Sequence, residues 1–210
     1  MTAVVLVHGG SRDADVWDKV RPELEASGHR VICPSLPDAA ASTFHAHVET
    51  VCREVEGYDL TDFVLVGHSY GGLVVTVAGT RMADKTATLV YLDSAYPQIG
   101  KSLLDAIEEC GLNPADFGVD TDPPFVTPLE FDLAIWKKIP KAYVRALRSE
   151  FGPVSRLAGE RATQHAKDAH WSSFEIDSVH NMMQDKPLET CALLERIISQ
   201  AAWRTTSGNR

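Results

Sequence analysis

Ser69 lies in Gly67-His68-Ser69-Tyr70-Gly71-Gly72, directly after the apolar run Val64-Leu65-Val66 and before a stretch that can form a helix. That context reads as a nucleophile elbow. A serine on a sharp strand-to-helix turn has its Oγ pushed clear of the backbone, in a strained conformation that small flanking residues permit. Gly67 and Gly71 let strand and helix approach closely, because a Cβ at either would clash. A serine hydroxyl is a poor nucleophile at neutral pH, so it needs a base that takes its proton during attack and returns it to the leaving group. Of the eight histidines, His180 falls in a loop between a strand and the last helix and is the expected base. His29, His45, His47, His165 and His170 sit on polar helix or strand edges and are expected at the surface, and His68 is expected to pack and orient. His45 and His47, two apart on a helix, point to different faces and do not form a metal pair. The imidazole also needs a carboxylate to hold its tautomer and stabilise its charge. Two are available: Asp93 after Leu89-Val90-Tyr91-Leu92, and Glu150 near the end of the following strand.

These groups need a scaffold, and the chain describes one. Ala3 to Val7 is an apolar run without polar alternation, as in a parallel strand covered on both faces. It ends in His8-Gly9-Gly10-Ser11. Asp13 caps a helix expected to reach about Ser27, with Val16, Trp17, Val20 and Leu24 at helical spacing and Gly28 as its stop. Further strands are expected at Arg30 to Cys33, Phe63 to Val66, Ala87 to Leu92, Ile139 to Leu147 and Ser173 to Ile176. Helices are expected from Ser42 or Thr43 to about Glu56, from Tyr70 to Met82, from Pro153 to about Lys167 and from Leu188 to about Trp203, with a loop over residues 39–42 and a frayed tail from Thr205 to Arg210. Strands alternating with helices imply an α/β chain: a doubly wound, mostly parallel sheet of about six strands with helices on both faces. Between Gln98 and about Lys138 the beat stops in favour of Pro, Asp and short apolar pieces. A segment that long is expected to be a lid or binding loop. The single domain thus runs over residues 1–210 with a lid insertion at about 98–138. In such a sheet ligands bind at the carboxyl ends of the strands. His8-Gly9-Gly10, Ser69, Asp93, Glu150 and His180 all fall there.

Composition narrows the partners. A formal net charge of −9 argues against nucleic acid or an anionic membrane, because phosphate binding needs concentrated Lys and Arg. Small neutral substrates fit better. Cys33, Cys52, Cys110 and Cys191 show no Cys-x-x-Cys pairing and read as reduced core thiols. The chain enters a strand without a basic or apolar leader and has no run of membrane-spanning length, so a cytoplasmic protein is expected.

These positions resemble the α/β-hydrolase fold family over nearly the whole chain. More narrowly, Val5-Leu6-Val7-His8-Gly9-Gly10 with Trp17, the Gly67 to Gly72 elbow, and His180-Asn181-Met182-Met183 followed by Lys186-Pro187 look like the methylesterase and hydroxynitrile lyase branch and its bacterial esterase relatives. The resemblance implies a serine hydrolase without metal or organic cofactor, with catalytic residues in the order nucleophile, acid, histidine. Several branches of the family carry their acid where Asp93 stands. The methylesterase branch has an aspartate near Glu150, and Leu147-Arg148-Ser149-Glu150 lacks it, so Asp93 is the first choice and Glu150 the alternative. An oxyanion hole is expected from the Tyr70 N–H, directly after the nucleophile, and, by resemblance, the Gly10 N–H, with Ser11 a weaker second donor. Trp136, Phe125, Phe131, Leu103, Leu104 and Ile107 of the lid are candidates for the substrate pocket. The lyase branch carries a threonine where Gly9 stands and a lysine where Asn181 stands, so its chemistry is disfavoured. A ligand-binding member with vestigial activity is the other alternative. Serine at 69 excludes dehalogenase and epoxide hydrolase mechanisms, which need aspartate. The expected activity is hydrolysis of a small carboxylic ester, lactone or thioester. A homodimer is an open option for the oligomeric state.

Overall fold

The computed structural model describes residues 1–164 and 170–207. In chain order the regular elements begin with β1 (Ala3–Val7), α1 (Arg21–Ala26), β2 (Arg30–Ile32), α2 (Phe44–Gly57), β3 (Phe63–His68), α3 (Gly71–Arg81) and β4 (Thr86–Leu92). They continue with α4 (Leu103–Glu109), α5 (Pro123–Val126), α6 (Leu133–Lys138), β5 (Lys141–Ala146), α7 (Gly152–Gln164), β6 (Trp171–Ile176), α8 (Met182–Asp185) and α9 (Pro187–Ser207). The strands form one six-stranded sheet in the order β2-β1-β3-β4-β5-β6, with every neighbouring pair parallel. This is the expected α/β architecture.

The period-two geometry of a strand divides its side chains between two cores. Val5, Val7, Phe63, Leu65, Leu89 and Tyr91 face α2, α3 and α7, while Val4, Leu6, Val64, Val66, Val90 and Leu92 face α1 and α9. Because both faces are covered, the central strands read as unbroken apolar runs. Each fully buried valine or leucine contributes about 1.5–3 kcal/mol relative to exposure.

Two expectations are modified. The helix expected from Asp13 to Ser27 is a 3-10 turn over Ala14–Trp17 followed by α1. Pro22 is the cause: it has no N–H for a continuing helix and its ring clashes with the preceding turn, so it is tolerated only in the first turn of α1. Residues 205–207 continue α9 rather than fraying, and residues 208–210 lie outside the described residues. The expected end of α7 near Lys167 also lies outside them.

The stretch from Gln98 to Lys138 is built from short capped pieces. Ser102 and Asp105 form a reciprocal capping box on α4, Asn113 caps a 3-10 turn over Pro114–Phe117, and Asp132 caps α6. Leu103, Ile107, Val119, Phe125, Leu129 and Trp136 sink into the core on the α3 side of the sheet. Ser11 Oγ donates to the Gly118 carbonyl at 2.9 Å and ties this segment to the turn after β1.

Candidate active site

The end of β3 delivers Ser69 in the left-handed region, φ 53°. A non-glycine residue there is strained and persists only where its surroundings hold it. The Ser69 N–H donates to Leu92 O at 3.0 Å, and the Ser69 carbonyl accepts from Gly72 N at 3.1 Å and from Ser94 Oγ at 2.7 Å. Gly67 and Gly71 are required by close approach. A Cβ on Gly67 would overlap the Gly71 carbonyl, and one on Gly71 would lie 2.5 Å from the His8 carbonyl oxygen.

Asp93 leaves β4 in the same unusual conformation, φ 46°, with its N–H on the Val144 carbonyl at 2.8 Å. Its side chain is fully buried. A buried carboxylate is tolerable only when its oxygens are satisfied. Oδ1 accepts from Ala146 N at 3.0 Å, and Oδ2 accepts from Ser149 Oγ at 2.5 Å and from His180 Nδ1 at 2.7 Å. A carboxylate only accepts, so His180 carries its proton on Nδ1 and leaves Nε2 as the nitrogen that can take another. Glu150 does not reach the imidazole. Its Oε2 lies 3.5 Å from the His180 backbone N.

The His180 ring packs against Phe151 and against His68, with ring centroids 5.1 Å and 4.5 Å away. His68 Nε2 donates to the His180 carbonyl at 3.0 Å, while its Nδ1 has no partner among the described residues. Burial, reinforced by the charge His180 would carry, pushes the His68 pKa well below the usual histidine range, so this ring stays neutral. His8 holds the turn after β1, with Nδ1 donating to Gly9 O at 2.8 Å and Nε2 accepting from Leu36 N at 3.0 Å. Burial lowers its pKa too. That turn lies against the elbow, since a Cβ on Gly9 would stand 3.1 Å from Ser69 Cβ and 3.1 Å from His68 Nδ1. Neither the Tyr70 nor the Gly10 N–H has an acceptor among the described residues.

Ser69, His180, Tyr70 and Gly10 line one cavity of about 260 Å³. Leu103, Phe117, Val119 and Phe151 form its apolar wall, and Arg12, Asp116, Glu150 and Asn181 its polar one. Of the aromatics expected at the substrate, Phe125 packs edge-on to Tyr70 and would collide with a Cβ on Gly10; it lines a neighbouring cavity of about 410 Å³. Trp136 lies elsewhere, its indole N–H on Tyr91 OH at 3.0 Å, and Phe131 packs against it at 5.7 Å. An indole pulled into the core by a buried acceptor is unavailable to a pocket. His47 is buried rather than exposed. Its Nε2 donates to Ser42 Oγ and its Nδ1 accepts from Tyr70 OH, both at 2.8 Å, a chain that anchors the side chain of Tyr70 away from its own amide. His29 is half-buried against Glu195, His45 and His170 are exposed, and His165 lies outside the described residues. Ser149, Ser94, Phe117 and Phe151 escape sequence reading. A small hydroxyl or a lone phenylalanine beyond a strand end carries no periodic signal. Among the described residues no group of three or more His, Cys, Asp or Glu is arranged to hold a metal.

A carbendazim hydrolyzing esterase from Nocardioides sp. (strain SG-4G) is 36% identical over 112 residues, covering 50% of this chain and 46% of that protein. Methylesterase 8 of Arabidopsis thaliana is 33% identical over 139 residues, covering 60% of this chain and 51% of its own length. The chain thus spans about half the length of these curated relatives. An extracellular alpha/beta-hydrolase from a Paenibacillus species superposes with a TM-score of 0.77 at 21% identity, over 93% of this chain and 98% of that one. That likeness is one of fold. The family described as Alpha/beta hydrolase family matches residues 4–205, and the chain belongs to it.

Proposed function

We propose that the protein is a serine hydrolase that cleaves a small carboxylic ester, lactone or thioester through an acyl-enzyme on Ser69. The observation that carries this reading is His180, held by the buried Asp93, sharing one cavity with a serine on a strained strand-to-helix turn. Ser69 Oγ attacks the substrate carbonyl carbon while His180 Nε2 takes its proton. The tetrahedral oxyanion lies on the N–H groups of Tyr70 and Gly10. His180 then gives the proton to the departing alcohol or thiol, and water repeats the sequence to release the acid. Asp93 keeps the proton on Nδ1 and stabilises the imidazolium.

Residues 98–138 act as the lid, with Leu103, Phe117 and Val119 facing the acyl group. A cavity of about 260 Å³ suits a small substrate. The names of the esterase relatives support ester chemistry, and no metal or organic cofactor enters the scheme. Every group it uses comes from one chain, so the reading is the same for a monomer or a homodimer. The lyase alternative is disfavoured by Gly9, where an added side chain would press on Ser69 and His68. The test is intact-mass spectrometry after treatment with a fluorophosphonate. A single adduct on Ser69 is expected, and Ser69→Ala and His180→Ala should each lower turnover of p-nitrophenyl acetate by at least about 10³-fold without loss of fold. A folded protein that takes no adduct would leave the ligand-binding alternative in its place.

A further inference from the structure

Three consecutive residues after β5 reach either His180 or its carboxylate partner. Ser149 Oγ lies 2.5 Å from Asp93 Oδ2, Glu150 Oε2 lies 3.5 Å from the His180 N, and the Phe151 ring stands 5.1 Å from the His180 ring. The direction of the Ser149 proton follows from its neighbours. The Phe151 N–H donates to Ser149 Oγ at 3.0 Å, and a carboxylate only accepts, so the hydroxyl points its proton at Oδ2. Oδ2 therefore receives two donors, the Ser149 hydroxyl and His180 Nδ1, in a site where the Asp93 side chain is fully buried.

We propose that Ser149 is a positioning residue for the Asp93–His180 pair: its hydroxyl aims the carboxylate and, by sharing Oδ2 with Nδ1, limits how strongly that carboxylate holds a protonated imidazole. The inference rests on the roles given above to Asp93 and His180. A donor on Oδ2 stabilises part of the negative charge that otherwise faces Nδ1. Without it the carboxylate holds the imidazolium more tightly, and the base is protonated over more of the neutral range. The same loss frees the carboxylate to turn, since one of its three donors is gone. Other ionisable groups face the pair but do not donate to Oδ2. Arg12, Asp116 and Glu150 line the cavity with His180. His68 is kept neutral by burial, and burial together with the Asp93 charge holds the Tyr143 hydroxyl un-ionised. On α8, Asp185 is engaged by Arg148, Ser178 and the Val179 N–H.

The test compares Ser149→Ala, Ser149→Thr and Asp93→Asn with the parent, using p-nitrophenyl acetate across the neutral pH range. Ser149→Ala is expected to lower kcat by about tenfold, the size of one hydrogen bond to a charged group, with little change in KM. It should also move the acidic limb of kcat/KM to higher pH by about half a unit or more. Ser149→Thr keeps the hydroxyl and should restore both. Histidine C2–H NMR of the same proteins follows His180 without any substrate, and the same upward displacement is expected. A fall in kcat with an unmoved limb and an unmoved NMR titration would make the hydroxyl merely structural and overturn the proposal, as would no change at all. Full turnover in Asp93→Asn would instead overturn the underlying role of Asp93, which separates the two failures. Should Ser149→Ala not fold, Ser149→Cys, a weaker donor of nearly the same shape, must shift the limb in the same direction or the proposal fails.

Discussion

Asp93 and Glu150 stand at the ends of adjacent strands, and their surroundings separate them. Asp93 is sealed from water with three donors on its oxygens, the imidazole among them; Glu150 is exposed and reaches only a backbone amide. An acid partner has to accept from Nδ1, so geometry favours Asp93. Asp93→Asn should cost about 10³–10⁴-fold in kcat, because an amide there offers the imidazole the wrong partner and disturbs its tautomer. Glu150→Gln should stay within about tenfold of the parent, since it removes a rim charge and no contact to the ring. Parallel kinetics of the two variants decide the matter, and the larger loss in Glu150→Gln would reverse the assignment. The sequence offered both carboxylates as candidates because both follow strands. Nothing local in Leu147-Arg148-Ser149-Glu150 could tell a hydroxyl bonded to a carboxylate 56 residues earlier from an ordinary turn serine.

At the scale of elements, the elbow joins β3 to α3 through contacts that exclude side chains. A methyl group on Gly67 would meet backbone atoms of Gly71 and Gly72, which cannot move without shifting α3 away from the sheet. Gly67→Ala should therefore destabilise the fold by more than about 3 kcal/mol, read as a lowered urea midpoint or a failure to give soluble protein. An unchanged midpoint would mean that strand and helix are not locked at this distance. The glycines, the apolar run and the following helix were all legible, because a turn of this kind is encoded within a few neighbouring residues. The break at Pro22 was missed for a related reason: the apolar spacing of Val16, Trp17, Val20 and Leu24 continues through it, although the backbone there cannot.

For the whole molecule, the charged group that burial affects most plainly is Lys141. It is 1% exposed, its ammonium sits 4.5 Å from the Trp136 ring centroid and donates to the Ile139 carbonyl at 2.5 Å. Burial brings its pKa down to about 7. An unfolded lysine titrates near 10.4, so between these values the unfolded chain binds a proton that the folded chain has released. Stability linked to this group is therefore full above the unfolded value and is lost as pH falls toward the folded one. The urea midpoint of Lys141→Met minus that of the parent should be largest near neutral pH and shrink through alkaline pH. A difference independent of pH would remove Lys141 as the titrating group. Elsewhere the excess of 29 acidic over 20 basic residues sits on an ordinary α/β scaffold, and among the described residues no helix is long and apolar enough to cross a membrane.

What the sequence determined by itself is whatever adjacent residues encode: the parallel strands, from apolar runs covered on both faces; the elbow around Ser69, from its glycines; the lid candidate, from the loss of periodicity. The tertiary structure decided which distant groups meet. Asp93 and His180 are 87 residues apart and bonded at 2.7 Å, and Ser149 joins them from a third strand end. It also drew Trp136 into the core through Tyr91 and left Phe117 and Phe151 at the cavity. A side chain's partner across the sheet depends on strand order and register, which no local pattern of residue types contains.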